Sequence, residues 1–352
     1  MRNRSLVNLI SDTVTQPCAR MRQAMATALV GDDVHGTDPT VRELQREAAQ
    51  LLGKPAALFV PSGTMGNLIS VGVHCNRGDE VILGNKSHVF KYEGGGASAF
   101  LGVSMHTVPN QADGSLLLED IEAAIREDDP HFPRSQLVVI ENTHNTCGGR
   151  VVPTETVQSI SALCERRGLK LHVDGARLAN ASVYLGQSLA ELLAPVDTVS
   201  LCLSKGLGAP VGSIIAGSED FIYQAKRLRK AFGGGMRQAG ILAAAGLIAL
   251  DNIGRLAVDH DNAQRLAKGL AKIPGVVIDV DTVETNLVYF SLDPAAMSMN
   301  DFLSHLEEEY GVQLGGGYGK GGNQIRAALH LDVSEEDVVY ALQSIKNVLT
   351  AQ

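Results

Sequence analysis

Short runs of apolar residues alternate along the first two thirds of the chain with longer segments whose apolar residues recur at helical spacing. A short apolar run is typical of a strand buried on both faces, and strands alternating with helices predict an α/β fold with a largely parallel sheet. The runs that fit are Ala56–Val60, Glu80–Leu83, Val103–Val108, Gln136–Glu141, Leu169–Asp174, Thr198–Leu203 and Val211–Ala216.

Helix signals lie between these runs. The segment Thr40-Val-Arg-Glu43 fits a capping box, so a helix is expected to begin at Thr40. Another helix is expected from about Glu155 to Arg167, because Gly168 suits the left-handed conformation that often follows a helix. Small residues dominate Gln238–Leu250, which predicts a helix packed closely against its neighbours.

The pattern changes after about Asp251. We therefore interpret residues 1–250, with an N-terminal arm, as a large domain and residues 251–352 as a smaller α+β domain. The small domain is expected to contain the helices Ile253–Ile273, one from Asn300 and one opened by Ser334-Glu-Glu-Asp337, and the strands Val276–Val280, Asn286–Leu292 and Gln324–Asp332.

The amino-acid composition limits the kinds of molecule that the protein is expected to bind. Hydrophobic residues make up 45% of the 352 residues but aromatic residues only 4%, so aliphatic side chains must fill the core. The formal net charge is −9 and no run is rich in Lys or Arg, which disfavours nucleic acids and anionic membranes as partners. No apolar run approaches the roughly 18 residues of a membrane span.

The five cysteines are scattered and form no C-x-x-C pair. Their spacing disfavours a disulfide scaffold and a zinc site, so no metal is expected, and it favours a reducing compartment. The apolar stretch Leu6–Ile10 after Arg2 and Arg4 is too short for the core of a signal peptide. We expect a soluble, cytoplasmic protein, although a transit peptide removed beforehand would leave the same sequence.

Two residues at predicted strand ends carry candidate chemistry, since ligands of open α/β sheets bind there. Lys205 follows an apolar run, where partial desolvation favours the neutral, nucleophilic amine. Asp174 ends the run Leu169–Asp174, and a buried carboxylate needs a partner such as a protonated pyridine nitrogen. Each residue also has a plainer interpretation: Lys205 as a surface lysine, and Asp174 as the cap of the next helix.

A third group, Ser62-Gly63-Thr64, follows the strand Ala56–Val60 and precedes an apolar helix. Backbone N–H groups at a helix N-terminus bind phosphate, although a simple helix cap would also explain these residues. A phosphate site, a ring-nitrogen partner and a lysine, in that order, match the layout of fold-type I pyridoxal-phosphate enzymes.

Competing glycine motifs are disfavoured. No G-x-G-x-x-G follows the first strand, and the run Gly315–Gly322 lacks the first glycine of a P-loop because Leu314 stands there. We predict this run to be a flexible loop ahead of Arg326.

The sequence also resembles the L-threonine aldolase family over nearly its whole length. The resemblance rests on eight short sequence blocks. No single block is specific for the family, but the occurrence of all of them in the same order along the chain is. The blocks are Leu9–Thr15, Gly31–Pro39, Pro61–Thr64, Ser87–Glu93, Glu141–Asn145, His172–Arg177, Ser204–Gly206 and Gly233–Gly240.

This resemblance implies a fold-type I fold, in which a large domain with a mostly parallel seven-stranded sheet precedes a smaller α+β domain. It implies pyridoxal 5′-phosphate as the cofactor, with Lys205 bound covalently to it and Asp174 paired with its ring nitrogen. His88 would stack on the ring, and Ser62, Gly63 and Thr64 would bind the phosphate. His88 also fits an ordinary interior histidine.

The resemblance further implies that Lys230 and Arg237 reach the phosphate region of a neighbouring subunit, in a homo-oligomer that is a dimer of dimers. Ser11, Arg177 and Arg326 would hold the substrate carboxylate or the ring oxygen of the cofactor. The alternative for Arg326 is a surface ion pair.

The implied activity is cleavage of L-threonine, L-allo-threonine and related β-hydroxy-α-amino acids to glycine and an aldehyde. His131, near the substrate hydroxyl, is the first candidate base and His88 the second, although the Pro-rich loop of His131 is typical of exposed residues. Two alternatives stay open. One is another fold-type I reaction, such as β-elimination or transamination; the other is a binding protein in which the lysine is idle.

Overall fold

Two β-sheets with flanking helices form the computed structural model, which describes residues 6–350 apart from the side chain of Lys320. The strands are β1 (Val7–Leu9), β2 (Ala56–Val60), β3 (Glu80–Gly84), β4 (Ser104–Val108), β5 (Ser135–Glu141), β6 (Lys170–Asp174), β7 (Thr198–Cys202), β8 (Ser213–Gly217), β9 (Val276–Val277), β10 (Leu287–Leu292), β11 (Val312–Tyr318) and β12 (Gln324–Ala328). The α-helices are α1 (Ala19–Ala26), α2 (Pro39–Leu51), α3 (Gly63–His74), α4 (His88–Lys91), α5 (Gly96–Leu101), α6 (Leu118–Ala124), α7 (Thr154–Arg167), α8 (Leu178–Leu185), α9 (Leu189–Leu193), α10 (Glu219–Ala231), α11 (Gly240–Asp251), α12 (Leu256–Leu270), α13 (Met299–Tyr310) and α14 (Glu335–Thr350).

The larger sheet has seven strands in the order β2-β8-β7-β6-β5-β3-β4, which confirms the predicted set. Strand β8 is antiparallel to both of its neighbours, and the other strands run parallel to one another. Every residue of β3, β7 and β8 is buried, as expected for strands covered on both faces. The carboxyl ends of β2, β3, β5, β6 and β7 therefore meet at one edge of the sheet.

Helix α2 begins earlier than predicted. Asp38, not Thr40, is its N-cap: the Asp38 carboxylate accepts hydrogen bonds from the backbone N–H groups of Thr40 and Val41 at 3.1 and 3.0 Å. The Thr40 hydroxyl instead donates to the carbonyl of Leu29, so the predicted capping box does not form. Proline at the first position of the helix, Pro39, favours this start because its missing N–H would have no partner there. The predicted end of α7 at Gly168 is confirmed.

The smaller sheet has five strands in the order β1-β11-β12-β10-β9. Its first strand comes from the start of the chain: Val7 pairs with Val312 in parallel, and Val7 and Leu9 are buried with residues of the C-terminal part. The N-terminal arm thus ties the two ends of the chain together. The division of the chain into domains near residue 250 stays a prediction.

Three predictions for the C-terminal part are corrected. Gly315–Tyr318 is not a flexible loop but the end of β11, where Gly315 pairs with Arg326 of β12. This segment is held in the sheet by backbone hydrogen bonds. Such bonds do not require apolar side chains, so a glycine-rich strand shows no apolar pattern in the sequence. The strand predicted to reach Asp332 ends at Ala328, and the one predicted at Val276–Val280 ends at Val277.

Within residues 6–350, no single helix is long and apolar enough to cross a membrane, although the bent pair formed by Gly240–Asp251 and Ile253–Leu270 passes that test by length and composition.

Candidate active site

Lys205 lies just beyond the carboxyl end of β7, at the edge of the large sheet where the parallel strands end. Its backbone carbonyl accepts hydrogen bonds from the Thr15 hydroxyl at 3.1 Å and from the Gly208 N–H at 2.8 Å, which fixes the turn. The side chain is half-buried, and its amine has no hydrogen-bond or ion-pair partner among residues 6–350. A half-buried amine without such a partner, at the carboxyl edge of the sheet, is available as a nucleophile.

Asp174 ends β6, the parallel neighbour of β7, and is 2% exposed. Its carboxylate accepts hydrogen bonds from the Asn67 amide at 3.0 Å and from the Ala176 N–H at 3.1 Å. No Lys or Arg in the described part of the chain forms an ion pair with it. A buried carboxylate that receives only neutral donors still attracts a cation, so its surroundings suit a protonated ring nitrogen.

The N-terminus of α3 lies close to the end of β7. Ser62 is the N-cap and accepts a hydrogen bond from the Met65 N–H at 3.2 Å. The first N–H groups of the helix, those of Gly63 and Thr64, have no intrahelical partner and can bind phosphate. A Cβ atom on Gly63 would lie 2.8 Å from the Cys202 sulfur, so glycine permits this close approach of helix and strand.

His88 follows β3 at the same edge of the sheet and begins the short helix α4. Its Nδ1 lies 2.8 Å from a carboxylate oxygen of Glu93, whose side chain is 5% exposed. Burial favours the neutral imidazole, but the hydrogen bond to Glu93 and the charges of Asp174, Glu93 and Glu141 outweigh it and raise the pKa of His88. Because Glu93 occupies Nδ1, the other ring nitrogen is left for a ligand.

Arg326 of β12 is 5% exposed and has no carboxylate partner in the described range. Its Nη1 donates to the side-chain oxygen of Asn145 and its Nη2 to the carbonyl of Ile10, both at 2.9 Å. The Tyr318 ring covers the guanidinium at 4.5 Å, and the buried Nε–H has no partner among the described residues. A buried guanidinium with an unused N–H and no counter-charge is suited to a ligand carboxylate.

Glu141, at the carboxyl end of β5, connects the helix of His88 with the loop that contacts Arg326. One of its oxygens accepts a hydrogen bond from the backbone N–H of His88 at 2.7 Å, and the other accepts one from the backbone N–H of Asn145 at 2.8 Å. The hydroxyl of Tyr289 donates to the Asn145 carbonyl at 2.8 Å. A single carboxylate therefore fixes both the histidine helix and the loop that holds Arg326.

Arg177 is buried but already neutralised. Its Nε and Nη2 each donate to the carboxylate of Asp12 at 2.7 Å. Burial by itself would raise the pKa of Asp12, but the charge and hydrogen bonds of Arg177, the charge of Lys205 and the amide of Asn286 hold it well below its usual range. The Ser11 hydroxyl, one residue before Asp12, accepts hydrogen bonds within its own turn from the N–H and hydroxyl of Thr13. Ligand-binding roles for Arg177 and Ser11 stay predictions.

His131 does not join these residues within one chain. It lies in the loop before β5, its side chain is 85% exposed, and its Nδ1 is 2.6 Å from Asp129. That loop enters the amino end of β5, and a seven-residue strand separates its ends by roughly 20 Å. The expectation that His131 lies near the other site residues is therefore corrected for residues of the same chain.

Lys230 and Arg237 also lie outside this cluster. Lys230 is exposed at the end of α10, in a surface cavity of about 310 Å³ that also has Arg42 and Lys226 in its lining. Arg237 is exposed and pairs with Asp32 at 2.9 Å. Their predicted contact with the phosphate region of a neighbouring subunit stays a prediction.

Several residues of the site escaped the sequence analysis, namely Asp12, Asn67, Glu93, Glu141 and Asn145. Glu93 and Asn145 end blocks that we quoted for the family resemblance, and Glu141 begins one. A carboxylate or amide at either end of such a block was a usable signal. Asn67, inside an apolar helix, gave a weaker one because a polar residue in a buried stretch has many possible partners.

Known proteins resemble the chain in sequence and in fold. Residues 8–293 match the β-eliminating lyase family. Low-specificity L-threonine aldolase 1 of Arabidopsis thaliana is 47% identical over 97% of this chain and 96% of that protein, and low specificity L-threonine aldolase of Escherichia coli K12 is 43% identical over 95% and 96%. The solved Leishmania major threonine aldolase, 24% identical, matches the fold with a TM-score of 0.83 and covers 98% of this chain and 100% of that chain.

The buried pair of Asp12 and Arg177 predicts a measurable loss of stability. In Asp12→Ala the Arg177 guanidinium stays buried without its counter-charge, so the free energy of unfolding should fall by about 3–5 kcal/mol. Because the pKa of Asp12 is depressed, the stabilisation is complete above its ordinary value of 3.8 and disappears only as the pH falls below it. The deficit of the variant should thus be constant near neutral pH.

Denaturant unfolding of both proteins measures this difference. The control is Asp251→Ala, which breaks the exposed pair between Arg20 and Asp251 and should change stability little. Equal losses of the free energy of unfolding in the two variants would show that the buried pair stabilises the protein no more than the exposed one.

Proposed function

The chain belongs to the β-eliminating lyase family, and on this premise we propose that it is a low-specificity L-threonine aldolase that uses pyridoxal 5′-phosphate. Its substrates would be L-threonine, L-allo-threonine and related β-hydroxy-α-amino acids, and its products glycine and an aldehyde. The observation that carries this proposal is the buried guanidinium of Arg326, which lacks a carboxylate partner within residues 6–350. An amino acid supplies that carboxylate.

The chemistry of the residues present fits the cofactor. Asp174 offers a buried negative charge to the ring nitrogen, Lys205 offers a free amine to the aldehyde, and the start of α3 offers N–H groups to the phosphate. His88 would lie against the ring, and Ser62, Gly63 and Thr64 would hold the phosphate. When bound, pyridoxal phosphate accepts the electrons of the bond that breaks at Cα, a task that no side chain can perform.

Substrate orientation falls to the arginines and Ser11. The substrate carboxylate would bind Arg326, with Ser11 and Arg177 nearby, because Ile10 joins Arg326 directly to the segment that contains Ser11 and Asp12. Two fixed points, the amine and the carboxylate, set the torsion about Cα. That torsion decides whether the Cα–Cβ bond is the one aligned for cleavage.

His88 is the base that this geometry favours. Glu93 holds Nδ1 and thereby turns the other nitrogen of His88 toward the site, as the carboxylate does in a catalytic triad. His88 would take the proton of the β-hydroxyl. Since the pKa of His88 is raised above 6.5, the free-base form grows as the pH rises through that higher value, and activity should rise with it. His131, the first candidate from sequence, would have to come from another subunit.

We also propose an oligomer whose active sites are shared between subunits. Lys230 and Arg237 are exposed beside Asp32 and a cavity rich in cationic side chains, and a phosphate carried by another subunit would find its charge complement there. A dimer is the smallest such assembly, and two dimers would form the tetramer expected from the family. All five cysteines are free thiols, which suits a cytoplasmic location.

Replacing Lys205 tests the cofactor assignment. Lys205→Ala should remove the visible absorbance of the bound cofactor and nearly all threonine cleavage, because Lys205 is the lysine that follows β7, the strand paired with the one that ends in Asp174. Lys170→Ala is the matched control, since Lys170 lies at the opposite end of the neighbouring strand and pairs with Asp197 on the surface. A Lys205→Ala protein that keeps both signals would refute the assignment.

Replacing the two histidines separates the candidate bases. His88→Asn should lower kcat by about 10²–10⁴-fold and remove the acid limb of the pH profile, because the residue in contact with Glu93 is lost. His131→Asn should lower kcat less. Steady-state kinetics on L-threonine measure both. A larger loss of kcat in His131→Asn than in His88→Asn would reverse the assignment.

Mixing two inactive variants tests the shared site. Lys205→Ala and Lys230→Ala should each lose activity, and subunit exchange between them should restore part of it, because one site of a mixed dimer then contains both lysines. Mixing Lys205→Ala with itself is the control. Full activity of Lys230→Ala, or no recovery in verified mixed oligomers, would exclude the sharing.

A further inference from the structure

One buried amide joins the two carboxylates of the site. Asn67 lies in the first half of α3 and is 2% exposed. Its Nδ2 donates to the Glu93 carboxylate at 2.8 Å and to the Asp174 carboxylate at 3.0 Å. Glu93 comes after β3 and contacts His88, whereas Asp174 ends β6 and is the proposed partner of the ring nitrogen. Their relative placement is therefore fixed by a residue from a third element.

The orientation of this amide is not free. Ionised carboxylates only accept hydrogen bonds, so the nitrogen of Asn67 must face Glu93 and Asp174. The amide oxygen then faces the other way, where it accepts a hydrogen bond from the Ser200 hydroxyl at 2.8 Å and lies 3.2 Å from His172 Nε2. It follows that His172 carries a proton on Nε2.

The protons on the next groups can be placed by the same argument. His172 is fully buried, and burial together with the nearby His74 lowers its pKa to about 3, so the ring is neutral. Its Nδ1 therefore accepts, and the donor is the Thr198 hydroxyl at 2.9 Å. The Thr198 oxygen lies 3.0 Å from His74 Nε2, which must donate to it; burial lowers the pKa of His74 to about 4.

The result is a chain of neutral groups whose donors all point toward Asn67 and, through it, toward Glu93 and Asp174. Neutrality matters, because a charged histidine this close would cancel the negative charge that the ring nitrogen and His88 require. Hydrogen bonds from neutral donors orient a carboxylate and leave its charge in place. Burial of His172 and His74 maintains that condition.

We propose that Asn67 is a positioning residue that aims Asp174 at the cofactor ring and Glu93 at His88, and that Ser200, His172, Thr198 and His74 hold its amide in the required orientation. This inference rests on the proposed function, since it assigns the two carboxylates to the cofactor and the base. In this role Asn67 acts on the cofactor and the base only through the two carboxylates to which it donates.

The test replaces the amide by a side chain of similar shape. Asn67→Leu should weaken the binding of pyridoxal 5′-phosphate by about 10-fold or more, because both charged acceptors lose a donor. It should also move the acid limb of the kcat/KM profile to higher pH. Without the Asn67 N–H, Glu93, whose pKa burial and Asp174 already raise, binds the proton it shares with His88 more tightly. Asp174 from β6 and Glu141 from β5 face the same pair and stay unchanged.

Thr198→Val provides a second, gentler variant. It keeps the shape of the side chain and removes only the hydroxyl that donates to His172, so both changes should recur at smaller size. In the cofactor-loaded protein, ring ¹⁵N shifts of His172 should show a proton on Nε2 alone, and Thr198→Val should redistribute that proton. Ser70→Ala is the control, because Ser70 lies one turn further along α3, is buried, and binds only the carbonyl of Gly66.

The outcomes are distinguishable. Wild-type affinity and an unmoved acid limb in folded Asn67→Leu would overturn the positioning role while leaving the aldolase assignment intact. If Asn67→Leu does not fold, the same result in Thr198→Val, with unchanged His172 shifts, would overturn it. A wild-type protein that fails to bind pyridoxal 5′-phosphate would overturn the proposed function, and this inference with it.

Discussion

The buried carboxylate of Asp174, which forms an ion pair with no Lys or Arg side chain in the described part of the chain, is the constraint on which the site depends. Burying a charge without a counter-charge is costly, and folding tolerates it here because neutral donors surround it. Asn67 and Ala176 supply those donors, and the parallel sheet places Asp174 beside the turn of Lys205. The negative charge of Asp174 is therefore available to a cation such as the ring of the proposed cofactor.

The start of the chain joins this edge to the smaller sheet. Val7–Leu9 pairs with β11, the carbonyl of Ile10 binds Arg326, and Asp12 binds Arg177 at the end of β6. Further along, the Gln16 N–H binds Asp332. One short segment thus contacts Arg326 of the smaller sheet and, through Arg177, the carboxyl edge of the larger sheet, so movement between the sheets would change the distance between Arg326 and that edge. We infer that this segment sets the distance between the amine and carboxylate sites.

The sequence predicted best what local chemistry determines. All seven strands of the large sheet, Lys205 and Asp174 at strand ends, and the turn at Gly168 follow from apolar runs and glycine. The start of α2 was missed because two residues that can cap a helix, Asp38 and Thr40, stand close together. Asp38 accepts hydrogen bonds from two N–H groups of the helix, while Thr40 binds elsewhere. The sequence could not predict contacts between distant residues. A family match could not show that His131 lies before the amino end of β5, away from the other site residues, or that Asn67 bridges two carboxylates.

We propose that Arg326 and the edge of the large sheet hold an amino acid so that its Cα–Cβ bond breaks. The most direct measurement is product analysis with purified protein, pyridoxal 5′-phosphate and separate L-threonine and L-cysteine. We expect equal amounts of glycine and acetaldehyde from L-threonine and little pyruvate or ammonia from L-cysteine. Pyruvate and ammonia as the main products, with no glycine from L-threonine, would contradict it.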